Sequence, residues 1–500
     1  VELPMMRFVF SVLVACGLAL AGSPVQAADT RPVVVGQGFL ADSLDPASGS
    51  AGWAWQSHGV AETLFTVDRQ GRAVPNLAQS VRREVDGRWR VTLKPGLRFA
   101  DGTPLDATAV KAALDRTIAA NPRARTQTGA LTAEVAGATE LLLAPERSIV
   151  AMEPVLAEFP LVIYRVDGDR FVFTGPYQLA EYRRGESVRL VPNPHYRAPS
   201  DRPPVTIRRL TDPQALALGL ESGELDIAFN LAAETLPRLQ RRAGLTIKGT
   251  PVAYQYMLLA NTAKAPLDDA RVRQAIDVAI DRRDLATVLG AGEVASGLYP
   301  RFMPWSLDAP RGTDVAAAEA LLDTAGWRRP GPGAVRQRDG KPLEITLTNY
   351  PQRPDFLSLT PVVRAQLEAI GMRVRAETVD NITPHLMQKR FDLAFWTMHT
   401  APGGDGAFAL EQYLRSDSPL NVMGYANAGM DATIDRLRVT GDVAARNEIV
   451  RAATRIAIAD APMIFLLTPV WQVGLSARVA GYEPSPSDYY IVRDDLLLKP

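Results

Sequence analysis

From Arg31 to the carboxyl end, short β-rich runs alternate with stretches whose apolar residues recur at the helical period of about 3.6, and this alternation sets the fold class. PVVVG (residues 32–36) reads as a strand. RWRVTLKPGLRFADGTP (88–104) reads as a strand, a Pro-Gly turn, a second strand and an Asp-Gly turn. Asp106 then takes the N-cap position of a helix, ATAVKAALDRTIAA. Further helices are predicted around 215–222, 268–289, 315–325 and 357–370, and strands near 345–349, 373–378 and 392–398. Over 500 residues, 47% of them hydrophobic and 22% charged, the pattern predicts an α/β protein built on at least two sheets. The length alone implies roughly two to four domains.

Charge and cysteine content remove several classes. Lys plus Arg and Asp plus Glu each number 55, so the formal net charge is zero and there is no basic excess to carry nucleic-acid binding. A single cysteine excludes a disulfide scaffold, an all-cysteine zinc site and an iron–sulfur cluster. Residues 6–28 (MRFVFSVLVACGLALAGSPVQAA) hold an early positive charge at Arg7, an apolar run from Phe8 to Ala21, and the small-x-small triplet Val25-Gln26-Ala27. This predicts a signal peptide over 1–27 and a periplasmic mature chain. The apolar run, roughly fourteen residues, is too short to span a bilayer. Leu13-Val14-Ala15-Cys16 also resembles a lipoprotein box, which makes a lipid anchor through Cys16 the alternative. Cleavage after Ala27 would leave no cysteine, which suits an oxidising compartment.

No catalytic constellation is present. His58, His195, His385 and His399 form neither HExxH nor a pair at short metal-ligand spacing, and GxSxG is missing. The GK within Asp339-Gly340-Lys341-Pro342 lacks the upstream glycine and the Ser/Thr of a phosphate loop. Gly36-Gln37-Gly38-Phe39-Leu40-Ala41 satisfies a relaxed GxGxxA, but Asp42 to Pro46 breaks the helix a dinucleotide site requires. The chain is read as no enzyme, with no resident cofactor.

Several segments in fixed order carry a family resemblance. They are ETLFTVDRQGRAVPNLAQSV (62–81), WRVTLKPGLRFADGTPLDATAVKAAL (89–114) and TGPYQLAEYRRGESVRLVPNPHYR (174–197), followed by ALGLESGELDIAF, LLANTAKAPLDDARVRQAIDVAIDR and RAQLEAIGMRVR. Together they resemble the extracytoplasmic solute-binding proteins of peptide and nickel ABC transporters, family 5. The resemblance implies a two-lobed α/β periplasmic binding protein (a Venus-flytrap) with an extra subdomain inserted in the first lobe. It implies lobe I over 28–66, 174–252 and 469–500, the inserted subdomain over 67–173, and lobe II over 253–468, with hinge crossings near Pro251 and Val470. A monomer would close on a small-molecule ligand and dock on an ABC permease and ATPase complex in the inner membrane.

The same resemblance bears on the solute. Peptide receptors of the family carry an aspartate on a loop after a second-lobe strand, where it binds the peptide ammonium; here Pro402 falls at that place. A buried ammonium without a counter-charge is costly, so the change counts against a free peptide amino terminus. Ala401-Pro402 followed by Asp405, and GWAWQSHGVAETL (52–64) with Trp53 and Trp55, resemble the nickel and metal-chelate branch. The implied cargo is nickel or another metal held by a carboxylate-bearing chelator, with an arginine from each lobe gripping carboxylates. Arg415, with Asn421 nearby, is the expected second-lobe grip and Arg165 the first-lobe candidate. His399 is expected to face the ligand, and Trp53 and Trp55 to stack on it or fill the core. His195, in the Asn-Pro-x-Tyr turn, is read as scaffold, and no side chain is assigned as a metal ligand. An oligopeptide or dipeptide receptor is the alternative.

Overall fold

The computed structural model describes residues 31–125, 127–198 and 201–498; the predicted signal segment and Cys16 lie outside these described residues. A seven-stranded sheet runs in the order Tyr177–Arg183, Ser187–Pro192, Val205–Arg209, Val33–Gln37, Ile227–Ala228, Val470–Ser476, Leu245–Pro251. Val33–Gln37 lies centrally and pairs in parallel with Val205–Arg209 and Ile227–Ala228. Covered on both faces, it needs the continuous apolar run its sequence shows. Gly36 leaves packing room beneath the helix Pro213–Ser222: a Cβ there would stand 2.7 Å from Leu225 Cδ1 and 2.8 Å from Leu216 Cδ2. That helix starts at Asp212, whose carboxylate accepts from Gln214 N at 2.9 Å, and ends at left-handed Gly223.

The second sheet has six strands in the order Glu293–Val294, Met463–Thr468, Tyr254–Ala260, Leu393–His399, Glu344–Asn349, Arg373–Thr378. Glu344–Asn349 and Arg373–Thr378 are parallel and joined by the helix Pro354–Ala369, a βαβ unit. The stretch predicted as one helix over 268–289 is two, Ala270–Ala279 and Arg282–Val288. Ile280 is extended, and Asp281 caps the second helix by accepting from Arg283 N at 2.8 Å. A capping carboxylate offers the backbone an alternative to continuing the first helix.

A third, four-stranded antiparallel sheet runs Ala78–Arg83, Trp89–Leu93, Glu140–Pro145, Leu131–Gly137. The helix Ala107–Ala120 starts at Asp106, which accepts from Ala109 N at 2.8 Å. Val91, Leu114 and Leu143 share one apolar cluster with Val33, Ile207 and Val473, so this sheet and the seven-stranded sheet rest on a common core. The strands of the second sheet bury a separate cluster. The chain passes from first sheet to second at Pro251–Tyr254 and back at Thr468–Val470. The two crossings touch: Val252 N donates to Pro469 O at 3.0 Å.

Candidate ligand-binding cleft

The strand Leu393–His399 pairs antiparallel with Tyr254–Ala260, placing His399 opposite Tyr254 beside the crossings. The loop that follows, Thr400 to Gly406, presses against the segment inserted into the first lobe. A Cβ on Gly403 would lie 2.3 Å from the Pro154 carbonyl oxygen and 2.8 Å from Glu158 Oε1. Gly404, at φ 81°, would place one 2.6 Å from Ala73 N. Only glycine permits such an approach of backbone to backbone. Asp405 then fixes the loop, accepting from Ala407 N at 2.6 Å and from the Arg446 guanidinium at 2.6 and 3.1 Å.

Two cavities flank this contact. The first, about 410 Å³, is lined by Arg123, Phe159 and Tyr489 from the first lobe and by His399, Pro402 and Tyr413 from the second. The second, about 470 Å³, includes Arg147, Pro154, Gly403, Asp405 and Arg446. Gln127, Val155, Glu158 and Phe408 line both. These volumes are those of small-molecule sites, commonly about 300–1,000 Å³.

The first cavity is mainly apolar, with Phe159, Phe408, Tyr413 and Tyr489 among its lining and a few polar groups. Tyr254 and Tyr489 hold the His399 ring, with centroids at 5.3 and 5.2 Å. His399 Nδ1 accepts from Ala401 N at 3.4 Å, and Nε2 lies 3.3 Å from Ser487 Oγ. With Nδ1 accepting, the neutral ring carries its proton on Nε2 and donates to Ser487. Burial pushes the imidazole down to about 3, so it stays neutral. Nδ1, the one ring nitrogen with a free lone pair, is engaged by Ala401 N–H, and Nε2 carries the proton, so the ring offers no lone pair to a metal. Beside it, burial pushes the Asp488 carboxyl up to about 6, while the Tyr254 hydroxyl donates to it at 3.2 Å. Burial likewise pushes Glu158 up to about 8; its carboxylate accepts from Gln127 Nε2 at 3.1 Å. Burial raises the Tyr413 hydroxyl, and the Arg123 charge opposes that shift across the cavity. Among the described residues, no three His, Cys, Asp or Glu side chains gather in a way that could hold a metal ion.

Of the residues singled out from sequence, the structure brings His399 to the cavity wall, with Pro402 beside it. Arg415 lines neither cavity. Its guanidinium donates to Asp435 at 2.6 Å and pairs with Asp417 at 2.8 Å. Asn421 is buried within its own loop, donating to Tyr425 O at 2.6 Å and Arg415 O at 3.1 Å. Arg165 pairs with Asp101 and also lies outside both walls. Trp55 is fully buried in the first-lobe core, its indole N–H donating to Ser43 O at 2.9 Å. Trp53 stacks on Phe39 at 4.2 Å. His195 sits in its turn, its backbone N–H donating to Asn193 Oδ1 at 2.9 Å. Arg123, Glu158, Phe408, Tyr413 and Tyr489 also line the first cavity; no local motif marks them, and only tertiary folding brings their segments together.

Comparison with known proteins agrees with this architecture. The nickel-binding protein NikA of Staphylococcus aureus is 22% identical over 87% of this chain and 88% of its own length. The glutathione-binding protein GsiB of Salmonella paratyphi A is 26% identical over 94% of this chain and 95% of its own. The crystal structure of NikA from Brucella suis in complex with Fe(III)-EDTA shares the two-lobed fold with a TM-score of 0.84 at 23% identity, covering 94% of this chain and 100% of that one. Residues 72–419 match the family described as bacterial extracellular solute-binding proteins, family 5 Middle. The chain therefore belongs to family 5 of the bacterial extracellular solute-binding proteins, receptors that work with the permease and ATPase components of ABC transporters.

Proposed function

We propose that this protein is the periplasmic receptor of an ABC importer for a small metal chelate, nickel or another metal held by a carboxylate-bearing chelator. The observation that carries the reading is Pro402 in the wall of the 410 Å³ cavity, where a peptide receptor would hold a carboxylate for the ammonium. Arg123 supplies the wall with a guanidinium whose planar fork matches a chelator carboxylate. The metal arrives as cargo inside its chelator, because His399 has both nitrogens engaged. The two lobes close around the chelate, and the closed monomer docks on the permease and ATPase complex of the inner membrane. Similarity to nickel-binding NikA supports the reading. One observation favours a peptide receptor instead: Glu158 offers a carboxylate from the first lobe, and similarity to a glutathione-binding protein agrees with it. Thermal shift with premixed nickel–histidine against alanyl-alanine separates the two. Stabilisation by the dipeptide alone would replace the chelate reading.

A further inference from the structure

Glu158 stands apart from the other acids of the cleft. It follows the short helix Met152–Leu156 and lines both cavities at their junction, under the Gly403 backbone of the opposite lobe. Asp405, nearby, is taken by Arg446, whereas no arginine or lysine among the described residues pairs with Glu158. Its hydrogen bond comes from a neutral amide, Gln127 Nε2. Phe159, Phe408, Tyr413 and Tyr489 surround the same space, and aromatic faces favour a cation beside a carboxylate. A half-buried carboxyl beside such walls is costly to ionise unless a positive group meets it.

We infer that Glu158 reads an amine of the solute, accepting N–H from an ammonium or from an amine polarised by a bound metal. The inference rests on the proposal that the solute sits in this cleft, and it narrows the cargo to amine-bearing, amino-acid-type molecules over purely carboxylate chelators. Arg123 and Glu158, both on the first-lobe side, then match the two ends of a zwitterion.

Proton release accompanies this recognition. Burial holds Glu158 protonated at neutral pH, up to about 8, and a positive partner favours its ionised form. The groups facing it do not titrate there. His399 is pushed down to about 3, and burial raises the hydroxyls of Tyr413, Tyr489 and Tyr490. The remaining charges around the cavities are Arg123, Arg147, Glu411, Arg438 and the Asp405–Arg446 pair.

Titration calorimetry on the full chain tests this at neutral pH, in two buffers of different ionisation enthalpy. The probes are premixed nickel–histidine, nickel–citrate, alanyl-alanine and N-acetyl-alanyl-alanine. The wild type should prefer the amine-bearing probe of a pair and release a proton on binding it. Glu158→Gln should keep the wild-type melting temperature or raise it, weaken that probe by about tenfold or more, and abolish the proton release. Preference for nickel–citrate over nickel–histidine, or for the acetylated dipeptide over the free one, overturns the inference. So does Glu158→Gln binding with wild-type affinity and proton release. Phe408→Ala separates the two levels: if it weakens binding while Glu158→Gln does not, the cleft stands and Glu158 is not its reader. If both variants bind as wild type, the solute sits elsewhere and the cleft reading falls as well.

Discussion

Gly403 of the second lobe meets Pro154 of the first so closely that a Cβ on it would stand 2.3 Å from the Pro154 carbonyl oxygen. The obstacle is backbone rather than a movable side chain, so the contact between lobes depends on the missing methyl group. Gly403→Ala should fold normally, because the clash lies between lobes rather than within a core. It should hold the lobes apart and weaken solute binding by about tenfold or more. Small-angle scattering with saturating solute checks this. A variant that compacts like the wild type would show that this contact does not limit closure.

Two arginines should separate cleanly. Arg123→Ala removes a guanidinium from the cavity wall and should weaken a carboxylate-bearing chelate by about ten- to a hundredfold, as expected for a charge-assisted hydrogen bond of about 1.5–3 kcal/mol. Arg415 is already held by Asp435 and Asp417, so Arg415→Ala should leave affinity within about twofold. Calorimetry of both variants with nickel–histidine decides; a large loss for Arg415→Ala alone would move the ligand out of the cavity described.

Much of the scaffold was legible because local chemistry and tertiary demand agree. Asp106 and Asp212 announce helix starts, and the apolar run at Val33–Gln37 announces a strand buried on both faces. The second strand expected after Trp89–Leu93 shrinks to one bridge, Arg98 to Pro104, because the turn at Asp101-Gly102 leaves too few residues to pair. The residues that line the cavities were less legible. Trp53 and Trp55 lie two positions apart on the helix Ala51–Ser57, so they face different sides, and Trp55 belongs to the core. Arg415 lies in a loop of the expected kind, but its spacing to Asn421 says nothing of Asp435, which arrives from the later helix Ala428–Val439. Arg123, Glu158 and Tyr489 come from segments far apart in sequence, and a periodicity cannot report such a convergence.

Asp488 gives a pH signature. Burial lifts its carboxyl from 3.8 to about 6, so between these values the folded chain binds a proton that the unfolded chain has lost. Its contribution to stability therefore falls as pH rises through that window. Asp488→Asn keeps an acceptor for the Tyr254 hydroxyl and removes the ionisation. It should be more stable than the wild type at neutral pH, by at most about 3 kcal/mol, with the difference shrinking toward pH 4. Urea melts across the range check it; equal stability at every pH would mean that Asp488 ionises in the folded protein as easily as in water.

The most direct test of the chelate reading is calorimetry of the wild-type protein with premixed nickel–histidine and, separately, with alanyl-alanine. The expected result is stoichiometric binding of the nickel complex, weakened by Arg123→Ala, and little or no heat from the dipeptide. Tight binding of the dipeptide with none of the nickel complex would contradict it and make this protein a peptide receptor.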